Sequence, residues 1–242
     1  MNRLRYILTA VLCFVSMAIA NDASARQLND KLLNRPYADM RIWHLGFSFG
    51  THAQDLSFTH NGYVHDNGET WFMEQDAFSP GFNVTGLVSL RLNNYFSLRF
   101  SPGMYFGNKV VKMYDTTNGS TEKQNIKTAY VTLPLDVKFA AMRHRNIRPY
   151  ITTGFMAAYD VAKKRSDFLQ MKIDDYYATV GFGCDFYLQY FKLIPEIKFC
   201  FGLRDILKHD RPDLVEEPDK FKYTQSLDQV TSQMVVVSFY FE

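Results

Sequence analysis

The sequence predicts an all-β fold, an eight-stranded antiparallel transmembrane β-barrel of the outer-membrane type with a filled lumen. Three observations predict it. Eight segments of about ten residues alternate apolar with polar side chains, and no charge falls on any apolar face. The connections between them run long, short, long, short. The polar face is crowded with Gly46, Gly50, Gly103, Gly107, Gly154, Gly181, Gly183 and Gly202, plus Ser and Thr. A soluble barrel hides its apolar face inside, and its outer face would carry Lys and Glu throughout. Small residues suit a cramped interior instead. The charged members of that face, Arg91, Arg99, Lys138 and Lys198 against Asp136, Asp185 and Glu196, are mixed in sign and are expected to pair in the lumen. With the faces reversed, each Arg or Lys near the bilayer midplane would cost about 2–4 kcal/mol.

The chain opens on an expected export signal over residues 1–25. Arg3 and Arg5 precede an apolar run, Tyr6 to Ala20, that is too short to span a membrane as a helix. Small-x-small patterns end at Ala20 and at Ala25, and the second is preferred as the cleavage site. Leu12 ahead of Cys13 argues against lipid attachment there. Cleavage after Ala25 would remove Arg3, Arg5 and Asp22. Lys+Arg then falls from 27 to 25 and Asp+Glu from 25 to 24, for a net charge of +1. So even a balance gives no basic stripe for nucleic acid. The remainder suits one domain. Aromatics make up 16% of the chain, with 21 Phe and 15 Tyr, yet mean hydropathy is only −0.22. A barrel with polar inward residues accounts for both figures.

Residues 26–40 read as a periplasmic lead-in, and 41–242 as the barrel. The first strand alternates Trp43, Leu45, Phe47 and Phe49 with His44, Gly46, Ser48 and Gly50. A long polar loop is expected over 51–79. The second strand places Phe82, Val84, Val88, Leu90 and Leu92 on one face and ends at a tight Asn93-Asn94 turn. The third carries Phe96, Leu98, Phe100, Met104 and Phe106 outward, followed by a loop near 108–125. The fourth carries Val131, Leu133, Leu135, Val137 and Phe139.

A basic turn near Arg143 to Arg145 opens the fifth strand, with Ile151, Phe155 and Tyr159 outward and a loop over 160–172. Strands six and seven flank a turn at Tyr190-Phe191. They carry Val180, Phe182, Phe186 and Leu188, then Leu193, Ile197, Phe199 and Phe201. A loop over 205–231 precedes the last strand, with Val235, Val237, Phe239 and Phe241 on one face. Pro102, Pro134 and Pro195 fall within strands, where bulges or strand ends are expected. Cys184 has outward parity and Cys200 inward, so a disulfide is not expected and two buried, unreactive thiols are. An even strand number places both termini and the short turns on the periplasmic side.

Several stretches resemble the PorT/SprT proteins, outer-membrane components of the type IX secretion system linked in some bacteria to gliding motility. Arg35-Pro-Tyr-Ala-Asp39, running into the Trp43 strand, is similar to that family's barrel entry. Asn94 to Phe100 followed by Ser101-Pro-Gly103, and Leu133 to Phe139, are similar to its third and fourth strands. GFGCDFYLQYFKLIPEIKFCFGLRDIL (Gly181 to Leu207) is the most specific stretch, and VVVSFYFE is similar to the closing strand. The resemblance covers essentially the whole chain after the signal, the loops least. Cys184 and Cys200 depart from it. It implies a non-enzymatic role in exporting proteins that bear a C-terminal sorting domain, with other type IX secretion subunits and the outer-membrane bilayer as partners. It implies no catalytic residue, cofactor or metal. An eight-stranded barrel leaves no protein-sized lumen, so assembly, anchoring or modulation is expected and not the translocation pore.

Two other readings use the 51–79 loop. A lipid-modifying enzyme or protease would draw on Asp55, Ser57, His60, His65, Asp66 and Glu69, but nothing in their spacing fixes a triad, and a solvated loop is the plainer account. The spacing of His60, His65 and Asp66 suits no common metal motif. An adhesin would expose Trp71, Phe72 and Phe78, which could equally fold over the barrel mouth or form its aromatic girdle. His44 is expected to be a hydrogen-bonded interior histidine.

Overall fold

The structure is a computed structural model that describes residues 33–61, 71–75, 79–115, 121–162, 171–208 and 226–242. The expected signal over 1–25 and most of the 26–40 lead-in lie outside them. Among the described residues, ten strand segments form one antiparallel sheet. They are β1 (Trp43–His60), β2 (Trp71–Gln75), β3 (Pro80–Arg91), β4 (Phe96–Phe100), β5 (Gly103–Asp115), β6 (Thr121–Ala140), β7 (Ile147–Asp160), β8 (Asp174–Tyr187), β9 (Lys192–Gly202) and β10 (Leu227–Phe241). The sheet closes where β1 pairs with both β10 and β3. β4 and β5 are halves of one rib between β3 and β6, so the ring has eight strands. Closure leaves the ring no free edge, which is the condition for crossing a membrane as a sheet. No helix among the described residues is long and apolar enough to cross.

The alternation is obeyed along every rib. Leu45, Phe47 and Phe49 stand exposed on the outer wall while Ser48 and His52 are buried inside. Outward aromatics stack across strands, as in Phe47 on Phe241 at 5.4 Å and Phe82 on Phe106 at 4.9 Å between ring centres. Such pairs add to the apolar wall presented to lipid.

Three of the expected loops are shorter than the sequence suggested. β1 continues to His60, and β2 occupies 71–75 beyond the outer end of β3, paired with the outer half of β5. β5 runs to Asp115 and β6 starts at Thr121, so little of the expected 108–125 loop remains. β10 begins at Leu227, inside the expected 205–231 loop. The physical reason is an inversion of faces. Above the bilayer, Leu56 and Phe58 point inward and Asp55, Ser57 and Thr59 outward. Water has replaced lipid outside, so the apolar period changes sides and reads as a polar loop.

The prolines cause less disturbance than expected. Pro102 separates β4 from β5, but the register runs through it unchanged on both sides, from Val88↔Phe100 to Thr85↔Gly103 and from Leu98↔Val137 to Gly103↔Thr132. Pro134 and Pro195 pair in register with Met156 and Phe239. The β8–β9 ladder is interrupted only around Pro195, between Gly183↔Glu196 and Phe186↔Leu193.

Candidate functional site

The lumen is filled in layers. At the outer end Leu56, Trp71, Met73, Val111, Met113 and Val230 form a buried apolar core, joined by Ile206, Leu207 and Leu227. Below it lie Tyr105, Tyr130, Tyr177, Met156, Met234 and Cys200. Their polar ends are satisfied locally: the Tyr177 hydroxyl donates to Ser232 Oγ at 2.9 Å, and Gln54 Nε2 donates to the same oxygen at 2.8 Å.

The next layer is ionic, and inward parity builds it. Arg99 Nη1 lies 2.6 Å from Glu196 Oε2, which also accepts from the Tyr150 hydroxyl at 2.7 Å. Lys198 Nζ lies 2.5 Å from Asp136 Oδ2 and 3.5 Å from Glu196 Oε1, and Thr179 Oγ1 donates to Asp136 Oδ1 at 2.8 Å. Lys138 Nζ donates to both oxygens of Asp185 at 2.7 Å and sits 3.8 Å from the centre of the Tyr150 ring. Lys192 Nζ is 2.7 Å from Glu242 Oε1, whose other neighbour is His44 Nδ1 at 2.5 Å. The four cations and four carboxylates of this layer cancel. Such groups are tolerated away from water only when paired and hydrogen-bonded.

Register explains why the interior is rich in glycine. Gly154 stands opposite Asp136, Gly181 opposite Lys198 and Gly183 opposite Glu196. The missing side chain leaves room for the long charged one across the ladder. A Cβ on Gly183 would strike the Tyr150 phenol.

The expected lumen set is therefore found with one correction. Arg91 is not in the ionic layer. It lies at the end of β3 and bonds to the Asn93 carbonyl at 3.4 Å and to Asn94 Oδ1, because the rib ends there. Lys192, Tyr150 and Tyr240 also belong to the layer and carry no motif in the sequence, and Glu242, the acid that ends the closing strand, joins them through Lys192. Their inward parity was the available signal.

The mouth on the side of the short turns is closed by the segment Asn34–Ile42, which makes a single 3₁₀ turn at Ala38–Met40. Arg35, at φ 51°, turns the chain so that its Nη1 donates to the Glu242 carbonyl oxygen at 2.9 Å. Asp39 accepts from the Tyr187 hydroxyl at 2.5 Å and from Arg148 Nη1 at 3.4 Å, with Arg143 Nη1 3.6 Å away. Arg143 lies over the Tyr187 ring at 3.6 Å and donates to the Asn34 carbonyl at 2.5 Å. Between this segment and the ionic layer remains a cavity of about 40 Å³. That is room for a water or two, not a path through the barrel.

The residues of the first-loop readings do not converge. Asp55 and Ser57 face outward from β1, while His60 faces inward and accepts from the Met73 amide at 2.9 Å. Trp71 is buried in the outer apolar core, and Phe72 stacks on Tyr114 at 5.9 Å. His65, Asp66, Glu69 and Phe78 lie outside the described residues. His44 is hydrogen-bonded in the interior, as expected. Cys184 and Cys200 are free thiols, but only Cys200 is buried; Cys184, expected to be buried as well, is half-buried because its parity turns it to the outer wall.

A closed ring of eight ribs with an apolar wall and a filled, ion-paired lumen defines an outer-membrane β-barrel embedded in a lipid bilayer. Residues 25–208, more than half of the chain, match the family described as outer membrane protein beta-barrel domain, and the chain belongs to that family. Among solved structures, it is similar to OprG of Pseudomonas aeruginosa, at 12% identity and a TM-score of 0.41, over 82% of this chain and 92% of that one. It is also similar to the N-terminal β-barrel domain of Pseudomonas aeruginosa OprF, at 13% identity and a TM-score of 0.37, over 80% and 96%. Comparison with curated proteins finds no match.

Proposed function

We propose that this barrel is a non-enzymatic outer-membrane component of type IX protein secretion, acting in assembly, anchoring or modulation of the machine. One observation carries the reading. Three stretches that resemble the PorT/SprT proteins, the Arg35–Asp39 entry, the Gly181–Leu207 hairpin and the closing strand, meet at the periplasmic mouth. There Arg35 holds the Glu242 carbonyl and Tyr187 holds Asp39. The residues behind the resemblance thus serve one structure, on the side where a secretion machine would present its periplasmic subunits. The filled lumen argues against the barrel being the conduit itself.

The test is a clean deletion followed by cell fractionation. Proteins with a C-terminal sorting domain should accumulate unprocessed in the periplasm and be released on complementation. Normal arrival of those proteins at the surface would end the secretion reading. In planar bilayers the purified barrel should give no steady protein-sized conductance.

A further inference from the structure

The periplasmic rim carries a second, larger pocket of about 190 Å³, lined by Arg91, Arg143, Arg148, Asn94, Tyr95 and Met142, with Asp39 at its inner side. We propose that it binds the headgroup of one anionic phospholipid of the periplasmic leaflet, its phosphate held by Arg91 and Arg148 against the apolar wall at Tyr95 and Met142. Arg143, whose own N–H groups are taken by Arg145, Arg35, Asn34, Asn146 and Asp39, adds positive charge beside it. The site stands apart from any role in secretion and needs only the orientation of the barrel.

Charge is the first argument. Three guanidinium groups face one carboxylate, so an anion restores the balance. The second is preorganisation. Arg148 is fixed by the Ala141 carbonyl at 2.9 Å and by the Asn94 carbonyl, and Arg143 by the Arg145 carbonyl at 2.7 Å. Asp39 lies 3.4 Å from Arg148 Nη1 and 3.6 Å from Arg143 Nη1 and balances one of the three charges, while the backbone oxygens orient the groups without cancelling the rest. A guanidinium has five N–H donors in a planar fork that matches phosphate. Arg91 commits two of them, to Asn93 and Asn94, and so retains donors for a ligand.

Position separates a lipid from a soluble anion. Tyr95 stacks toward Phe139, and Phe96 packs on the same ring, at centroid distances of 6.4 and 5.0 Å. All three are exposed on the outer wall, and Met142 is 73% exposed beside them. The pocket therefore lies where the apolar wall ends, and a phosphate bound in it leaves its acyl chains running along that wall. Arginine near an anionic leaflet contributes in the same sense.

The full barrel, purified in neutral detergent and stripped of lipid, would be titrated with phosphatidylglycerol, phosphatidylcholine or inorganic phosphate and followed by native mass spectrometry. One phosphatidylglycerol should be retained in preference to phosphatidylcholine. R91Q should weaken that retention about fivefold, R91K less so, and R204Q at the opposite end not at all. Unheated gel mobility establishes that each variant is folded. The Arg91 side chain bonds only within its own turn, and its backbone N–H, which donates to the Ile42 carbonyl at 2.8 Å, is kept in R91Q, so the strap contacts stay in place. Equal retention of both lipids, or no loss in R91Q, would overturn the site. Displacement of the lipid by millimolar inorganic phosphate would overturn the lipid assignment in favour of a soluble anion.

Discussion

Arg99 and Glu196, on ribs that are not neighbours in the sheet, meet across the lumen with Nη1 2.6 Å from Oε2, and both side chains are almost wholly removed from solvent. Glu196 also holds the Tyr150 hydroxyl and lies 3.5 Å from Lys198, so it joins several strands through one carboxylate. Glu196→Gln would leave Arg99 facing a neutral amide. The expected loss is about 3–5 kcal/mol, the usual cost of breaking a buried pair from one side. It is measured as an earlier heat- or urea-induced conversion of the folded band on unheated gels. The double change R99M/E196L should lose less than E196Q, because no charge is stranded and Lys198 keeps Asp136 at 2.5 Å. A double variant weaker than the single would show that the pair matters for more than mutual compensation.

Gly183 tests why the interior is built of small residues. Its absent side chain is where the Tyr150 phenol lies, and that phenol donates to Glu196. Gly183→Val should destabilise by about 1–3 kcal/mol through overpacking. Gly86→Ala is the contrast. Its nearest atom to a new Cβ is the Pro102 carbonyl oxygen at 3.9 Å, so it should be nearly neutral. Equal losses at both positions would indicate general strand effects instead of lumen crowding.

Parity made most of this barrel legible in the sequence. Phe47, Phe49, Phe239 and Phe241 alternate with polar residues because lipid lies on one side, and Arg99, Asp136, Lys138, Asp185, Glu196 and Lys198 share the other face with glycine. What remained hidden had no periodic trace. The rib extensions, such as Leu56 and Phe58 on β1, reverse the apolar face where water replaces lipid. The Asp39–Tyr187 bond joins residues 148 positions apart, and no local pattern announces it. Arg91 has the parity of a lumen residue, but only the structure shows that its rib ends beneath it.

Trp71 anchors the outer apolar core above the bilayer, packed with Leu56, Met73 and Val111. Trp71→Ala should remove about 3–5 kcal/mol from that core. The core lies outside the ionic layer, so the folded gel mobility should survive while protease cleavage within residues 51–80 accelerates. A variant that loses the folded mobility as well would mean that the outer core and the barrel unfold as one unit.

His60 gives the outer end a pH dependence. Burial lowers its pKa below the ordinary 6.5, and its Nε2 accepts from the Met73 amide of β2. The detached segment binds more protons than the docked one, so docking is fully favoured above pH 6.5 and weakens as pH falls below it. The Met73 amide resonance should therefore titrate with a midpoint below 6.5, and His60→Phe should abolish that titration. A midpoint above 6.5 would reverse the sign and indicate that the charged imidazole is the one bound.

Cys184 and Cys200 should never form an intramolecular disulfide in the folded barrel, even in an oxidising compartment. Cys200 pairs with Thr179, five positions along β8 from Cys184. That offset is about 16 Å along the strand, far beyond the roughly 7 Å limit between the Cα atoms of a disulfide. The side chains also point to opposite faces, Cys200 into the lumen and Cys184 toward lipid. Non-reducing and reducing gels of the folded protein should be identical. A detergent-soluble maleimide should label Cys184 in the folded barrel and reach Cys200 only after heating. A reductant-dependent change in mobility at the monomer position would contradict the register of β8 against β9, and with it the alignment of Gly181 and Gly183 to Lys198 and Glu196.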